Sequence, residues 1–321
     1  MKKELKLNKL DFTIKEENFA LNVDASAAYE TNAVDMYRAA MIGENSVRGR
    51  FKQVLGVKDR VKLGTTVFSN IIKAGACTFD PSDADLSQKT FEVCPIMIGT
   101  SICVDSLETS FVSDQLARGS ASFSEPQPFM NYFYETLSAT LAEELSYLSF
   151  RGDSSLTGDT YLKACDGLET VLAASTGVTT PSSAGTVTSA NVIAKMIEAR
   201  SGVSAAVKAK SDFVYIVSTN VWEALMDAVS DNKNSGLYYV EGINLRFQGV
   251  EVLRADEASD NVIIATYLSN LLNISDLESD VTGFNVVDFM QTTLDRKIGI
   301  RTDAKVSFDF LVAGDIFFHK P

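Results

Sequence analysis

A single long amphipathic stretch constrains the fold of this 321-residue chain more than any other feature. Between residues 130 and 148, apolar side chains recur at steps of three and four: Met130, Phe133, Leu137, Leu141, Leu145 and Leu148. Pro126 and Pro128 precede the stretch and Gly152 follows it, and these residue types favour the first turn and the end of a helix. The pattern predicts a structural spine helix of about 24 residues, roughly 36 Å long, with Leu141 buried against a sheet and Glu143 on another face.

Two β-type runs precede the spine helix. Residues 57–77 and 90–104 are rich in β-branched residues, and the acidic, turn-rich segment 80–85 lies between them. This order predicts an extended hairpin with a polar tip. A hairpin without flanking strands is poorly stable alone, so we expect its tip to find its partner outside its own subunit. Two short helices are also predicted, one within residues 27–42 that Gly43 ends and one over residues 107–116.

After residue 211 the pattern changes to strand, helix, strand. Residues 213–217 predict a strand, Ser218-Thr-Asn predicts the cap of a helix that runs through Val229, and residues 245–253 predict a strand pair hinged at Gly249. Residues 261–265 predict a short buried strand. The chain then returns through alternating strands between residues 298 and 318, which we expect to close a sheet begun much earlier.

The net charge of −13 is unevenly distributed along the chain. Residues 1–73 carry 13 Lys and Arg against 9 Asp and Glu, whereas residues 211–288 carry 3 against 13. The positive excess is concentrated in residues 47–62, which we call the basic arm: Arg48, Arg50, Lys52, Lys58, Arg60 and Lys62 with one acid, Asp59. The arm is a solvated face or an electrostatic contact with the acidic surface of another copy. Nucleic-acid binding is a weaker alternative, because the overall acidity of the chain opposes phosphate attraction.

Residue types that carry chemistry are scarce. His319 is the one histidine, so a mechanism that needs a histidine base or ligand has almost no candidate. The four cysteines (Cys77, Cys94, Cys103 and Cys165) form no C-x-x-C pair, and we expect plain buried thiols. No nucleotide-binding, zinc-protease, esterase or calcium-loop motif occurs. We therefore assign no catalytic, cofactor-binding or metal-binding residue and expect no enzymatic activity.

Charged residues soon interrupt the segment that follows Lys2 and Lys3, so no export signal is predicted. The longest apolar-leaning run, residues 94–104, is far shorter than the roughly 20 residues that a membrane-spanning helix needs. The sequence therefore predicts no membrane association.

The order of these features resembles a known family. The basic N-terminal part, the long hairpin, a spine helix that ends in Arg151-Gly-Asp, a downstream Asp166-Gly-Leu, an insert that opens with Phe213-Val-Tyr-Ile-Val, a Gly249-Val-Glu-Val strand and a final β return stand in that order. The chain resembles the major capsid proteins of tailed bacteriophages, whose Hong Kong phage 97 fold encapsulin shells share.

The resemblance implies an α+β chain with four parts. These are an N-terminal arm over residues 1–50, an extended loop over residues 51–104, a peripheral domain over residues 105–210 that residues 285–321 complete, and an axial domain over residues 211–284. It implies self-assembly through hexamers and pentamers into the head shell around a dsDNA genome, hence a place in the virion after synthesis in the host cytoplasm. Implied partners are other copies, a portal, a separate scaffold or decoration protein, and packaged dsDNA bound without sequence specificity.

Three alternatives remain open at this point. The shell could be an encapsulin-like nanocompartment that encloses a protein cargo. Some family members cross-link a hairpin lysine to a neighbouring asparagine, and Lys89 near the tip is the candidate here. In a different class, an α/β enzyme could bind a divalent cation through Asp256, Glu257 and Asp260 of the acidic insert.

Overall fold

The computed structural model describes ten segments of the chain: residues 37–43, 46–68, 84–103, 127–158, 160–182, 185–231, 238–241, 244–276, 285–288 and 297–321. Within the predicted helix of residues 27–42, residues 37–42 are helical and the helix ends at Gly43, as expected. Residues 80–83 of the predicted hairpin tip, the predicted helix over residues 107–116 and Cys77 lie outside the described residues.

The spine helix is confirmed. It is α1 (Gln127–Arg151), 25 residues long, and it ends immediately before Gly152. Leu141, Leu145 and Leu148 are buried, and they pack in one cluster with residues of a long C-terminal strand. Glu143 is exposed, so the predicted helical phase is right. Besides the helical residues 37–42, the described part of the chain contains the α-helices α2 (Leu168–Ala174), α3 (Val192–Ser201), α4 (Ala205–Lys208) and α5 (Thr219–Asp231).

Two sheets and a separate hairpin make up the β structure. The strands are β1 (Lys52–Val54), β2 (Arg60–Phe68), β3 (Ala84–Glu92), β4 (Cys94–Cys103), β5 (Phe213–Ser218), β6 (Tyr238–Glu241), β7 (Asn244–Phe247), β8 (Val250–Ala255), β9 (Ile263–Tyr267), β10 (Leu271–Ser275), β11 (Asn285–Asp288), β12 (Lys297–Phe310) and β13 (Phe317–His319).

The five-stranded sheet is built around β12. One edge of this 14-residue strand pairs antiparallel with β10 and β11, the other pairs with all of β4, and β1 adds parallel to β10. The C-terminal return thus closes a sheet begun some 200 residues earlier, as the sequence predicts. One face of β12 carries Ala304, Val306 and Phe308, which contact the spine helix leucines. Burying such a continuous apolar face is the main stabilising contribution at this junction.

The six-stranded sheet has the order β13-β9-β5-β8-β7-β6. Every residue of β5 is buried because both faces of the sheet are covered. Phe213, Tyr215 and Val217 pack toward α3 and α5, while Val214 and Ile216 pack toward α2 and the end of the spine helix. The predicted hinge at Gly249 is confirmed as the tight turn between β7 and β8, where Gln248 and Gly249 both have positive φ.

Sheet membership does not follow the order of the strands along the chain. β10, which follows β9 of the six-stranded sheet, lies in the five-stranded sheet, and β13, which follows β12 of the five-stranded sheet, lies in the six-stranded sheet. Helix α3 likewise packs on the six-stranded sheet. Hydrophobic periodicity cannot show which sheet β10 or β13 joins, because the apolar pattern of each strand would be the same in either sheet.

Candidate functional site

The hairpin formed by β2 and β3 exposes most of its side chains for which burial is described. Its strands pair antiparallel from Arg60–Glu92 at the base to Phe68–Ala84, and among the described residues they pair with each other alone. Arg60 and Glu92 form an ion pair of 2.9 Å across the base, with both side chains mostly exposed. A two-stranded ribbon of this kind is marginally stable by itself, so its base must be held by the body of the subunit.

The hairpin is shorter than the sequence suggested. Residues 94–103 do not continue the hairpin but enter the five-stranded sheet as β4, immediately after residue 93. The base of the hairpin, residues 89–94, is called the hairpin root below. At the root, Phe91 is 1% exposed and packs with Val57, Leu272 and Ile274.

Lys89 fastens the root to the sheet. Its Nζ donates to Asp309 Oδ1 at 2.7 Å and to the Phe310 carbonyl at 2.9 Å, and it lies 3.8 Å from the centre of the Phe310 ring. We expected Lys89 near the tip as a cross-linking candidate. The structure instead places it opposite Leu63, in the basal half of the hairpin, engaged within its own chain. This arrangement does not support a cross-linking role.

The expectation of plain thiols is wrong for two of the four cysteines. Cys94 and Cys165 form a disulfide, with Cα atoms 5.8 Å apart and 71 residues between them in sequence. Cys103, at the far end of β4, is exposed rather than buried. Sequence spacing could not find the pair, because only the packing of the spine helix on β12 brings residue 165 beside residue 94.

The two glycine motifs noted separately in the sequence meet in space. Gly167 N–H donates to the Gly152 carbonyl at 2.8 Å, which ties Arg151-Gly-Asp to Asp166-Gly-Leu. A Cβ on Gly152 would lie 2.2 Å from the Cys165 carbonyl oxygen, and one on Gly167 would lie 2.6 Å from Gly152 N. Only glycine, which has no Cβ, allows this approach. The two glycines therefore determine the path of the turn that carries Cys165 away from the spine helix.

Besides Arg60, which pairs with Glu92, two further arginines of the basic arm contact their own chain. Arg48 is fully buried, and its guanidinium donates to the Met41 carbonyl at 3.1 Å and to the Ala40 carbonyl, which satisfies the end of the N-terminal helix. Burial lowers the pKa of Arg48 to about 10, so it stays charged at neutral pH. Arg50 binds Glu251 of β8 through two hydrogen bonds of 2.8 and 2.9 Å.

Residues 47–54, the strap, therefore connect the two sheets. Arg50 reaches the six-stranded sheet, while β1 adds to the five-stranded sheet beside β10. For Arg48 and Arg50, the expected contact with another copy is replaced by contacts within the subunit. The hydrogen bonds from Arg50 hold the pKa of Glu251 below its ordinary value, which is consistent with a formed ion pair.

The acids proposed as a cation site do not converge. Asp256 accepts a hydrogen bond of 2.6 Å from Thr219 and pairs with Arg254, while Asp260 is exposed. Burial raises the pKa of Glu257 above its ordinary value. Among the described residues, no three acidic, histidine or cysteine side chains are grouped to hold a metal ion. The divalent-cation alternative is therefore not supported.

A groove of about 460 Å³ lies between the helical residues 37–42, the spine helix and residues 256–257. Small residues such as Ala40 and Ala142 form much of its wall, and Glu143 and Glu257 make it acidic. Its described lining residues are small, hydroxyl-bearing or acidic, and they give this groove a negative charge. No described helix combines the length and apolarity that crossing a bilayer requires.

Comparison with known proteins gives a fold and no close relative. No family model matches the sequence. No curated protein matches it either.

Solved structures match over nearly the whole chain. A chain of the satellite phage P4 procapsid aligns with 89% of this chain and 98% of its own length, at 12% identity and a TM-score of 0.56. A virus-like particle from Pyrococcus furiosus aligns with 91% and 99%, at 7% identity and a TM-score of 0.52. Gordonia phage Cozz aligns with 85% and 84%, at 15% identity and a TM-score of 0.52. The capsid fold expected from the sequence is confirmed.

Proposed function

We propose that this chain is the major capsid protein of a tailed bacteriophage and self-assembles into the shell that encloses its dsDNA genome. The observation that carries the proposal is the near-complete, two-way coverage of solved capsid chains. A partial match would fit a shared module, but here little of either chain is left over for another activity. Fold alone does not dictate function, so the exposed features must also suit assembly.

The hairpin suits assembly. Its strands expose unpaired edges along the part that the structure describes, and its base is fastened to β12 by Lys89 and to the turn after the spine helix by the disulfide. Because its base is fixed, a hairpin of this kind can extend to a neighbouring copy while the rest of the subunit stays folded. Shell contacts are many and individually weak, which allows hexamers and pentamers to form from one chain.

The parts of the subunit follow from the resemblance and the sheets. We propose residues 1–50 as the N-terminal arm, 51–104 as the extended loop with its root in the sheet, 105–210 with 285–321 as the peripheral domain, and 211–284 as the axial domain. β10 and β13 each lie in a different sheet from the strand that precedes them, which would tie the two proposed domains together within one subunit.

The remaining roles are proposals of the same kind. The chain would act as a non-enzymatic building block in the virion, made in the host cytoplasm, with a portal and a separate scaffold or decoration protein as partners. Contact with packaged DNA would be weak and without sequence specificity, because a chain of net charge −13 repels phosphate.

A protein nanocompartment is the second candidate. The similarity to the Pyrococcus furiosus virus-like particle, with nearly full coverage of both chains, favours it to the same degree. The two candidates differ in what the shell encloses. Nucleic acid in nuclease-treated particles from the native source supports the capsid, whereas a single enriched protein cargo supports the compartment.

The test is assembly of the purified full-length chain. We expect gel filtration to place it in the void volume and negative-stain microscopy to show closed, uniform shells. Coexpression with neighbouring genes controls for a required scaffold. A species of monomer size under all of these conditions contradicts both shell candidates.

A further inference from the structure

The disulfide occupies a mechanically important position. Cys94 is the first residue of β4 and follows the last residue of the hairpin, Glu92, by two positions. Cys165 lies in the turn between the spine helix and α2. The bond therefore joins the hairpin root to the segment that the glycine pair positions against the spine helix.

Both partners are held in place by contacts other than the bond. Cys94 pairs with Val306 in the β4–β12 register, and the turn is fixed by the hydrogen bond from Gly167 to Gly152. The Cα separation of 5.8 Å suits a disulfide without backbone movement. Cys165 Sγ also lies 3.6 Å from the Val306 carbonyl oxygen, an acceptor that a reduced thiol can use. The same backbone can thus hold either a dithiol or a disulfide.

Access to the two sulfur atoms is unequal. Cys165 is 2% exposed, whereas Cys94 is partly exposed. A small-molecule disulfide therefore reaches Cys94 first. Cys165 is positioned to attack the mixed disulfide that forms there. This asymmetry is suited to thiol–disulfide exchange.

We propose that Cys94 and Cys165 form a reversible redox lock on the hairpin root, closed by a small-molecule disulfide such as oxidised glutathione. The Cys94 thiolate attacks one sulfur of the oxidant, which gives a mixed disulfide and releases one small thiol. The Cys165 thiolate then attacks Cys94 Sγ and expels the second. The two cysteines lose two electrons and two protons, and the oxidant becomes two thiols. A reducing cytoplasm keeps such pairs open, and an oxidising environment closes them.

Formation of the disulfide adds a covalent bond to the ion pair that already holds the hairpin root. Salt weakens the partly exposed pair of Lys89 and Asp309, whereas salt does not affect the disulfide. The bond also closes a loop 71 residues long, which restricts the unfolded chain. We expect the melting temperature of the oxidised protein to exceed that of the reduced protein by about 6 °C.

The first test uses the full-length wild-type chain in buffers of defined ratios of reduced to oxidised glutathione. Thiols are trapped by alkylation, the 94–165 cross-linked peptide is quantified by mass spectrometry, and melting is measured in parallel. The cross-link should rise with oxidant and reverse with reductant, and the melting temperature should rise with it. Persistent alkylation at both positions in the oxidising buffer overturns the proposal.

Variants assign the effect to this pair. Cys94→Ser should abolish the dependence of melting on redox state, while the matched control Cys103→Ser, an exposed cysteine outside the bond, should keep it. An equal redox shift in Cys94→Ser overturns the assignment. Because the comparison within the wild type needs no variant, the proposal stays testable if Cys94→Ser folds poorly.

Hydrogen exchange tests the lock itself. Amides of residues 86–92 should exchange more slowly in the oxidised chain, and unchanged exchange there would show that the bond does not restrain the root. The consequence for particles, greater heat resistance of shells after oxidation, rests on the proposed function. Failure to form shells would remove that consequence and leave the peptide and exchange measurements able to decide the lock.

Discussion

Gly152 and Gly167 determine how closely the end of the spine helix approaches the next segment. Three backbone atoms lie within 2.8 Å of the position that a Cβ on Gly152 would occupy, and none of them can rotate away as a side chain would. The close approach also positions Cys165 for its bond to Cys94. At the residue scale, therefore, the junction has its geometry because Gly152 and Gly167 have no Cβ atoms.

Replacing Gly152 by alanine tests this junction. We expect Gly152→Ala to lower the free energy of unfolding by roughly 3 kcal/mol, because backbone must shift to accept one methyl group. The control is Gly314→Ala, where a Cβ would meet nothing within 4 Å, and it should change stability by less than about 0.5 kcal/mol. Urea denaturation of both variants measures the difference. Equal stabilities would show that the approach is looser than described.

Leu141 tests the packing of the spine helix in the same way. Leu141→Asp removes a side chain that is 5% exposed and places a carboxylate against Ala304, Val306 and Phe308. We expect a loss of about 4 kcal/mol or more, enough to make the free subunit insoluble or poorly packed. Glu143→Ala, on the exposed side, should cost less than about 0.5 kcal/mol. Soluble yield and urea midpoints report the result, and similar values for the two variants would contradict the helical phase.

These two positions mark what the sequence can predict. Leu141 belongs to a periodic pattern of six apolar residues. Such a pattern can be recognised in the sequence without knowing what the helix packs against. The contacts of Gly152 and the pairing of Cys94 with Cys165 depend on which distant segment arrives, so no local pattern encodes them. His319 is similar: it is fully buried, with Nδ1 2.9 Å from the Asn261 carbonyl oxygen, although a residue so near the C-terminus gives no sign of burial.

At the scale of elements, the strap explains how two sheets become one subunit. Residues 47–54 contain three basic residues and no acidic one, and the prediction for the strap rested on this charge. In the structure that charge is used locally, with Arg48 closing a helix end and Arg50 binding β8. The charge pattern predicted either a solvated face or a contact with an acidic surface of another copy, and Arg50 instead binds Glu251 of its own chain. The pattern could not distinguish an insert in the same chain from one in a neighbour.

The strap predicts a weak dependence of stability on acid pH. Arg50 depresses the pKa of Glu251 in the folded chain below its ordinary value of 4.5, so the unfolded chain binds more protons at moderately acid pH. The contribution is therefore complete above the unfolded pKa and is lost as pH falls through the folded pKa. Since both side chains are about a third or more exposed, it should not exceed about 1 kcal/mol.

Glu251→Gln measures this contribution. The variant should lose up to about 1 kcal/mol at pH 7 and progressively less as pH falls below about 4.5, where wild-type Glu251 also becomes neutral. Glu92→Gln breaks the more exposed pair with Arg60 and should change stability little at any pH. Denaturant titrations at pH 7 and pH 3 provide the comparison. A loss that is the same at both pH values would exclude the ion pair as its cause.

At the scale of the whole molecule, the fold depends on pairing between strands that are far apart in sequence. β4 meets β12 about 200 residues later, and β13 returns to β9 in the other sheet. The order of elements in the sequence indicated the architecture because that order is what distinguishes this fold. The length of the hairpin was overestimated because β3 and β4 are nearly continuous in sequence, and only the pairing partner shows where the hairpin ends.

The last prediction concerns the part of the hairpin beyond its described strands. Phe68 and Ala84 are register partners, so replacing residues 69–83 by Asn-Gly closes the ribbon with a two-residue turn and leaves Lys89, Phe91 and the disulfide untouched. The subunit should keep its circular dichroism spectrum and cooperative unfolding, because the contacts that hold the hairpin root to the body are retained. Closed shells should be reduced at least about 10-fold by negative-stain counting, which corresponds to only about 1.4 kcal/mol lost from assembly. Gly314→Ala, carried through the same purification, controls for handling. If the shortened chain assembles as well as wild type, residues 69–83 are not an assembly arm, whatever the fold.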